Sequence, residues 1–235
     1  MNRVLPILFN TEMVRAILDG RKSCTRRICK DGNEYTVPDM NFYNADRRTY
    51  AVHNYADKKH TDKLSTAERS CPICPGDILY VRETWEHFEC CCCEGDEHGN
   101  CYREPQQSAL NKSCGCYMYR ATDEIYGDAR WHPSIHMPKE AARIWLKVTD
   151  VRVERLQDIT PKDAENEGVG NLFYEDIGYS EKNYGTEVDP EYGIAKEQFA
   201  WLWESTVKKS DLDRYGWDAN PWVWVIEFER CEKPE

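Results

Sequence analysis

The chain has 235 residues and a formal net charge of -11, from 31 basic and 42 acidic side chains. Its hydrophobic content of 40% can fill a core and excludes a wholly disordered chain. A mean hydropathy of -0.79, without an apolar run long enough to span a bilayer or a readable signal peptide, argues against membrane insertion and export. These properties predict a cytoplasmic protein with a single domain over residues 1–235.

The charge is unevenly distributed along the chain. Residues 1–30 hold seven basic and two acidic side chains, a formal charge of +5, which leaves -16 for the remainder. Non-specific binding to nucleic acid depends on neutralising many phosphates, so this acidic body disfavours duplex DNA as a partner. A local basic site instead suits a small anionic or polar ligand, or a short nucleic-acid segment.

The first part of the chain predicts short structured segments followed by a long polar one. Residues 5–8 are apolar and predict a strand, and residues 11–18 predict a helix with capping residues before it and a glycine after it. Residues 21–28 predict a second strand. Residues 31–70 are polar and weakly patterned, and we expect an excursion from the core that is partly mobile.

The rest of the chain predicts further strands, two helices and two more insertions. The insertions are a cysteine-rich one at residues 86–116 and an acidic, glycine- and tyrosine-rich loop at residues 169–192. The absence of a βαβ rhythm favours an α+β fold, a small mixed barrel rather than a doubly wound sheet. The predicted strands cover residues 78–83, 117–120, 144–156 and 222–228, and the predicted helices cover residues 160–165 and 195–207.

The cysteines predict a metal site. Twelve cysteines in a chain without an export signal favour metal binding over disulfides. Zinc takes four ligands, usually as two closely spaced pairs, and one structural zinc would keep an insertion without an apolar core folded. The spacing does not select four ligands from five candidates, and Cys71 with Cys74 is a weaker pair. The five candidates are Cys90, Cys93, Cys101, Cys114 and Cys116.

Four segments together resemble one protein family, the ASCH domain family. The segments are residues 17–27 (ILDGRKSCTRR), 75–83 (PGDILYVRE), 163–168 (DAENEG) and 222–228 (WVWVIEF). With SIHMP at residues 134–138, the chain most resembles the long ASCH proteins of bacteriophages and prophages. The resemblance covers roughly half of the chain and implies a PUA-like β-barrel with short flanking helices.

The resemblance also implies a site and a reaction. PUA-like folds mostly bind RNA or modified bases, and the small bacterial ASCH proteins hydrolyse N4-acetylcytidine. Matched motif by motif, it places Lys22, Thr25 and Glu167 in a catalytic site. Thr25 would supply a nucleophilic hydroxyl, Lys22 would act as a base or polarise the carbonyl, and Glu167 would carry a proton to the leaving amine.

Five further residues are candidate ligand contacts. Arg21, Arg26 and Arg27 suit a sugar or phosphate oxygen. Trp85 can stack on a base, and His136 can donate a hydrogen bond to a ligand. Ordinary packing is an alternative for both Trp85 and His136.

Two classes of function remain open. The first is a protein that binds RNA or a modified nucleoside, with or without hydrolysis of an N4-acyl amide of cytidine. The second is a non-catalytic, zinc-stabilised phage adaptor that binds a host protein through its acidic outer face. Alanine at Lys22 or Arg26 would abolish ligand binding in the first class and would leave the second unaffected.

Overall fold

The chain is a mixed α+β protein with mostly strands and a few short helices, as the sequence predicts. A computed structural model describes residues 2–89, 115–124, 130–169 and 193–234. No helix in these ranges is long and apolar enough to cross a membrane. The chain divides into two compact units, unit 1 with Met1–Asp19, Asp77–Lys147 and Arg230–Glu235, and unit 2 with Gly20–Gly76 and Val148–Glu229.

The strands and the helices are each numbered in chain order. The strands are β1 (Val4–Leu8), β2 (Cys24–Ile28), β3 (Thr36–Asn44), β4 (Thr49–Tyr55), β5 (Lys63–Ser70), β6 (Ile78–Arg82), β7 (Trp85–Glu89), β8 (Gly115–Tyr119), β9 (Trp145–Arg155) and β10 (Trp222–Cys231). The helices are α1 (Thr11–Leu18), α2 (Pro161–Asn166), α3 (Gly193–Thr206) and α4 (Leu212–Tyr215). Single 3₁₀ turns lie at Ser134–His136, Lys139–Ala141, Leu156–Asp158 and Lys209–Asp211.

Unit 1 is built on β1, β6 and the first residues of β9. β1 pairs with β6 in parallel, and β6 pairs with β9 antiparallel. Helix α1 begins where Asn10 accepts a hydrogen bond from the Met13 backbone N–H, the N-cap geometry that its sequence predicts. The buried face of α1 carries Val14 and Ile17. Strands β7 and β8 form a separate antiparallel pair.

In unit 2, the greater part of β9 is followed in the sheet by β10 and then by β2. Helices α2 and α3 pack against these strands. β10 pairs with β2 antiparallel. Helix α2 begins with a reciprocal capping box between Thr160 and Asp163. Helix α3 contributes Phe199 and Trp203 to a core that also contains Val223 from β10.

The predicted excursion at residues 31–70 is largely a three-stranded antiparallel sheet, β3-β4-β5. Its central strand buries Tyr50, Ala51 and Val52, and the Tyr50 ring packs edge-on against Trp224 at 4.9 Å. Apolar and polar residues are mixed along this segment without a sustained alternation, so its sequence gives no clear strand signal.

The structure corrects the prediction of a barrel. Within each unit the described strands form open sheets that do not close on themselves. Among the described strands of unit 2, β2 pairs with β10 alone, and β3-β4-β5 is a separate sheet. Residues 90–114 of the predicted cysteine-rich insertion and residues 170–192 of the acidic loop lie outside the described residues.

Candidate functional site

Lys22 and Glu167 form a buried ion pair in unit 2. Lys22 lies two residues before the start of β2, and Glu167 is the C-cap residue of α2. The Lys22 Nζ lies 2.7 Å from Glu167 Oε2 and 2.8 Å from the Glu167 backbone oxygen. The two residues are 145 positions apart and their side chains are 2% and 4% exposed. Next to them, Arg21 donates a hydrogen bond to the Gly168 carbonyl.

Arg26 extends this pair into a network. Its Nη1 lies 3.3 Å from Glu167 Oε1, and its Nη2 lies 2.5 Å from Glu154 Oε1 and 3.8 Å from Asp163 Oδ2. The Arg26 side chain is fully buried, and its guanidinium carbon lies 5.7 Å from the centre of the Phe199 ring. A buried guanidinium is tolerated when carboxylates surround it, because they offset its lost hydration.

A partly exposed rim completes the network. Arg152 contacts Glu154, Asp163 and Glu227, and its side chain is 33% exposed. Glu154 and Asp163 are 20% and 24% exposed, so the network reaches solvent through these side chains. We call Lys22, Arg26, Arg152, Glu154, Asp163, Glu167 and Glu227 the ion cluster.

The pKa values of two groups are shifted here, the Cys24 thiol beside the ion cluster and the Asp163 carboxyl within it. The Cys24 Sγ lies 3.8 Å from the Asp163 carbonyl oxygen, and burial, reinforced by the charge of Glu167, raises the pKa of this thiol to about 12. Burial works to raise the pKa of Asp163 as well. Hydrogen bonds from Thr160 and the positive charges of Arg26 and Arg152 outweigh it, so the pKa of Asp163 lies below its ordinary value.

Thr25 lies on the other face of β2. Side chains alternate along a strand, and Cys24 and Arg26 both contact groups of α2 or its C-cap, so Thr25 points to the opposite side of the sheet. Its cross-strand partner is Ile226. The structure therefore brings Lys22 and Glu167 together and separates Thr25 from them. The grouping of all three came from matching family motifs, which do not record the face of a strand.

A cleft opens on the face of β2 that carries Thr25. It has a volume of about 290 Å³ and belongs entirely to unit 2. Arg27, one of the predicted ligand contacts, lines it and is exposed. The prediction missed the rest of this cleft because its walls come from four separate segments of the chain. Arg27 pairs across the strands with Trp224, and this contact leaves no signal in the sequence.

The predicted contacts Trp85 and His136 belong to unit 1. The Trp85 ring packs 5.6 Å from the Tyr117 ring and 5.1 Å from the His132 ring. Its Nε1 is buried and has no hydrogen-bond partner among the described residues. His136 lies exposed in a 3₁₀ turn, so its environment does not match the alternative of a core histidine.

The predicted zinc site stays a prediction. Cys90, Cys93, Cys101 and Cys114 lie outside the described residues, and Cys116 lies in β8 with a side chain that the structure does not describe. Within residues 2–89, 115–124, 130–169 and 193–234, no group of three or more His, Cys, Asp or Glu side chains could hold a metal ion.

The comparisons with known proteins add no assignment. No family model, no curated protein and no solved structure matches this chain. The ASCH resemblance therefore depends on the four sequence segments, and what it implies about activity is taken up as a proposal.

Proposed function

We propose that unit 2 binds RNA or a modified nucleoside at the Lys22–Glu167 pair, and that it hydrolyses an N4-acyl amide of cytidine there. The observation that carries this proposal is the 2.7 Å contact between the two side chains. The ASCH resemblance, which depends on sequence motifs alone, implies that Lys22 and Glu167 lie in one site. Agreement between two motifs 145 residues apart supports the relationship to the ASCH family.

The energetics of buried ion pairs also favour a functional role. Removing two charges from water is costly, and well-packed apolar residues of similar volume usually stabilise a fold as much or more. A nearly inaccessible Lys22–Glu167 pair is therefore poorly explained by stability alone. A low-dielectric environment does strengthen the action of an ammonium and a carboxylate on a reacting group.

The proposed reaction uses these two groups and a water molecule. The water oxygen attacks the acyl carbonyl carbon while the Glu167 carboxylate accepts a proton from it. The Lys22 ammonium stabilises the negative charge that develops on the carbonyl oxygen. The carbon–nitrogen bond then breaks and the proton passes to N4, which releases cytidine and a carboxylic acid. Water is the nucleophile because Thr25 lies on the opposite face of β2.

The test is incubation of the full chain with N4-acetylcytidine, with cytidine release followed by chromatography. We expect Lys22→Met to lower turnover by about a hundredfold or more, the usual effect of losing an oxyanion-stabilising group. The matched control is Lys162→Met, because Lys162 pairs with Glu165 on the exposed side of α2. It should retain wild-type turnover.

Two results would overturn the proposal. Wild-type protein that neither binds N4-acetylcytidine nor releases cytidine would remove the function. Wild-type turnover in folded Lys22→Met would remove the site. Circular dichroism establishes that the variant is folded, and Lys22→Arg replaces it if it is not, because arginine keeps the charge but not the geometry of the ammonium.

A further inference from the structure

The cleft on the other face of β2 has apolar walls. They are formed by Pro72 and Ile73, which precede β6, by Val151 of β9, and by Trp224 and Ile226 of β10. A volume of about 290 Å³ lies at the lower end of the range for small-molecule sites, which run from about 300 Å³ upward. The cleft therefore suits a ligand of one ring system and its substituent, not a long segment.

The polar part of the cleft is positively charged. Arg27 and Lys30 bring two positive charges to the lining, and Asp31 brings one negative charge. The Asp31 carboxylate accepts a hydrogen bond from the Tyr50 hydroxyl and lies 3.8 Å from the Arg69 Nε. With two basic side chains and one acidic side chain, the lining carries a formal charge of +1.

This charge contrasts with the rest of the molecule. The chain carries a formal charge of -11, which repels anions from most of its surface. A cleft with a net positive lining is therefore a selective place for an anionic ligand. Arginine suits a phosphate well, because its planar donors match phosphate oxygens in pairs.

We propose that this cleft binds a nucleoside monophosphate unit, with the base against the apolar walls and the phosphate held by Arg27 and Lys30. A base fits such a slot because its faces are apolar and its edge is polar. Ser70, which also lines the cleft, offers a hydroxyl to the base edge or the ribose. This site is separate from the Lys22–Glu167 pair and does not depend on the reaction proposed there.

The bound nucleotide can be a free mononucleotide or one nucleotide of a single-stranded RNA. Isothermal titration of the full chain with cytidine 5′-monophosphate, with cytidine, with inorganic phosphate and with a short single-stranded RNA separates these sources. We expect the monophosphate to bind at least about tenfold more tightly than cytidine or phosphate alone, because only it fills both parts of the cleft. RNA binding that is tighter than monophosphate binding, and that Arg27→Gln abolishes, would show that the bound nucleotide belongs to an RNA chain.

The variant is Arg27→Gln, with Arg47→Gln as the matched control, since Arg47 is exposed and pairs with Glu68 elsewhere in unit 2. We expect the first to weaken binding of the monophosphate at least about tenfold and the second to leave it unchanged. Equal binding by both variants, no binding of either nucleotide probe, or binding of phosphate as tight as that of the monophosphate would overturn the proposal. The readout here is binding and not cytidine release, so a failure of this proposal and a failure of the amidohydrolase proposal are distinguishable.

Discussion

The two faces of β2 place neighbouring residues in opposite environments. On one face, Cys24 and Arg26 lie against α2 and its C-cap, and the charge of Arg26 is fully removed from solvent among carboxylates. On the other face, Thr25 and Arg27 lie on the side of the apolar cleft. Arg26 and Arg27 are adjacent and chemically identical, yet one is enclosed and the other is exposed.

This difference teaches what a basic motif can and cannot specify. A run such as RKSCTRR delivers positive charges to both faces of a strand at once, because side chains alternate. Residues two positions apart share a face, and adjacent residues do not. Which arginine serves as an internal counterion and which meets a ligand is decided by the partners on α2, β9 and β10.

The largest expected effect comes from removing the enclosed arginine. Arg26→Met leaves Glu154 and Glu167 without a shared counterion, and losing one partner of a buried pair costs about 3–5 kcal/mol. Arg27→Met, one position along, should cost at most about 1 kcal/mol, as surface substitutions usually do. Urea unfolding of both variants measures the difference in the free energy of unfolding. Equal losses would show that the two faces do not differ as described.

The second effect sharpens the comparison through thiol reactivity. Burial on the helix side of β2 raises the pKa of the Cys24 thiol to about 12, so at about pH 8 only about one thiol in ten thousand is a reactive thiolate. Cys231, which is partly exposed, is the internal control. Alkylation by iodoacetamide, followed by mass spectrometry, should modify Cys24 at least about a hundredfold more slowly. Similar rates at both cysteines would contradict the enclosed environment of Cys24.

The smallest effect concerns acid. The pKa of Asp163 in the folded protein lies below its ordinary value of 3.8, so its carboxylate stabilises the fold above that pH. This contribution is lost as the pH falls through the lower, folded pKa. Asp163→Asn should therefore be less stable than wild type at about pH 6, and the two unfolding curves should converge below about pH 4. Glu165→Gln on the same helix is the control, and curves for Asp163→Asn that stay parallel to wild type would refute the prediction.

Much of the fold was predictable because its signals are local. The alternation of apolar and polar residues predicts β9, and the Thr160 cap followed by Pro161 predicts the start of α2. The β3-β4-β5 sheet was not predictable in the same way, since its apolar residues are mixed with polar ones without a sustained alternation. The closed barrel was wrong because strand number and order do not fix whether the edges of a sheet meet.

The site was predictable only in part. The family motifs group Lys22, Glu167 and Thr25, and the structure places the first two in contact and Thr25 on the opposite face of β2. A motif records order in sequence and not the face of a strand. The contacts of Arg26 with Glu154 and Asp163 depend on how β9, β10 and α2 are placed around β2. Such long-range partners leave no pattern in any one segment.

The most direct test of the central claim, that the buried Lys22–Glu167 pair acts on a ligand, is turnover of N4-acetylcytidine by Glu167→Gln beside Glu165→Gln. Both variants neutralise a carboxylate within two positions of each other, one in the pair and one in an exposed contact with Lys162. The account predicts that folded Glu167→Gln loses cytidine release by about a hundredfold or more while Glu165→Gln keeps it. Equal turnover by the two folded variants would contradict it.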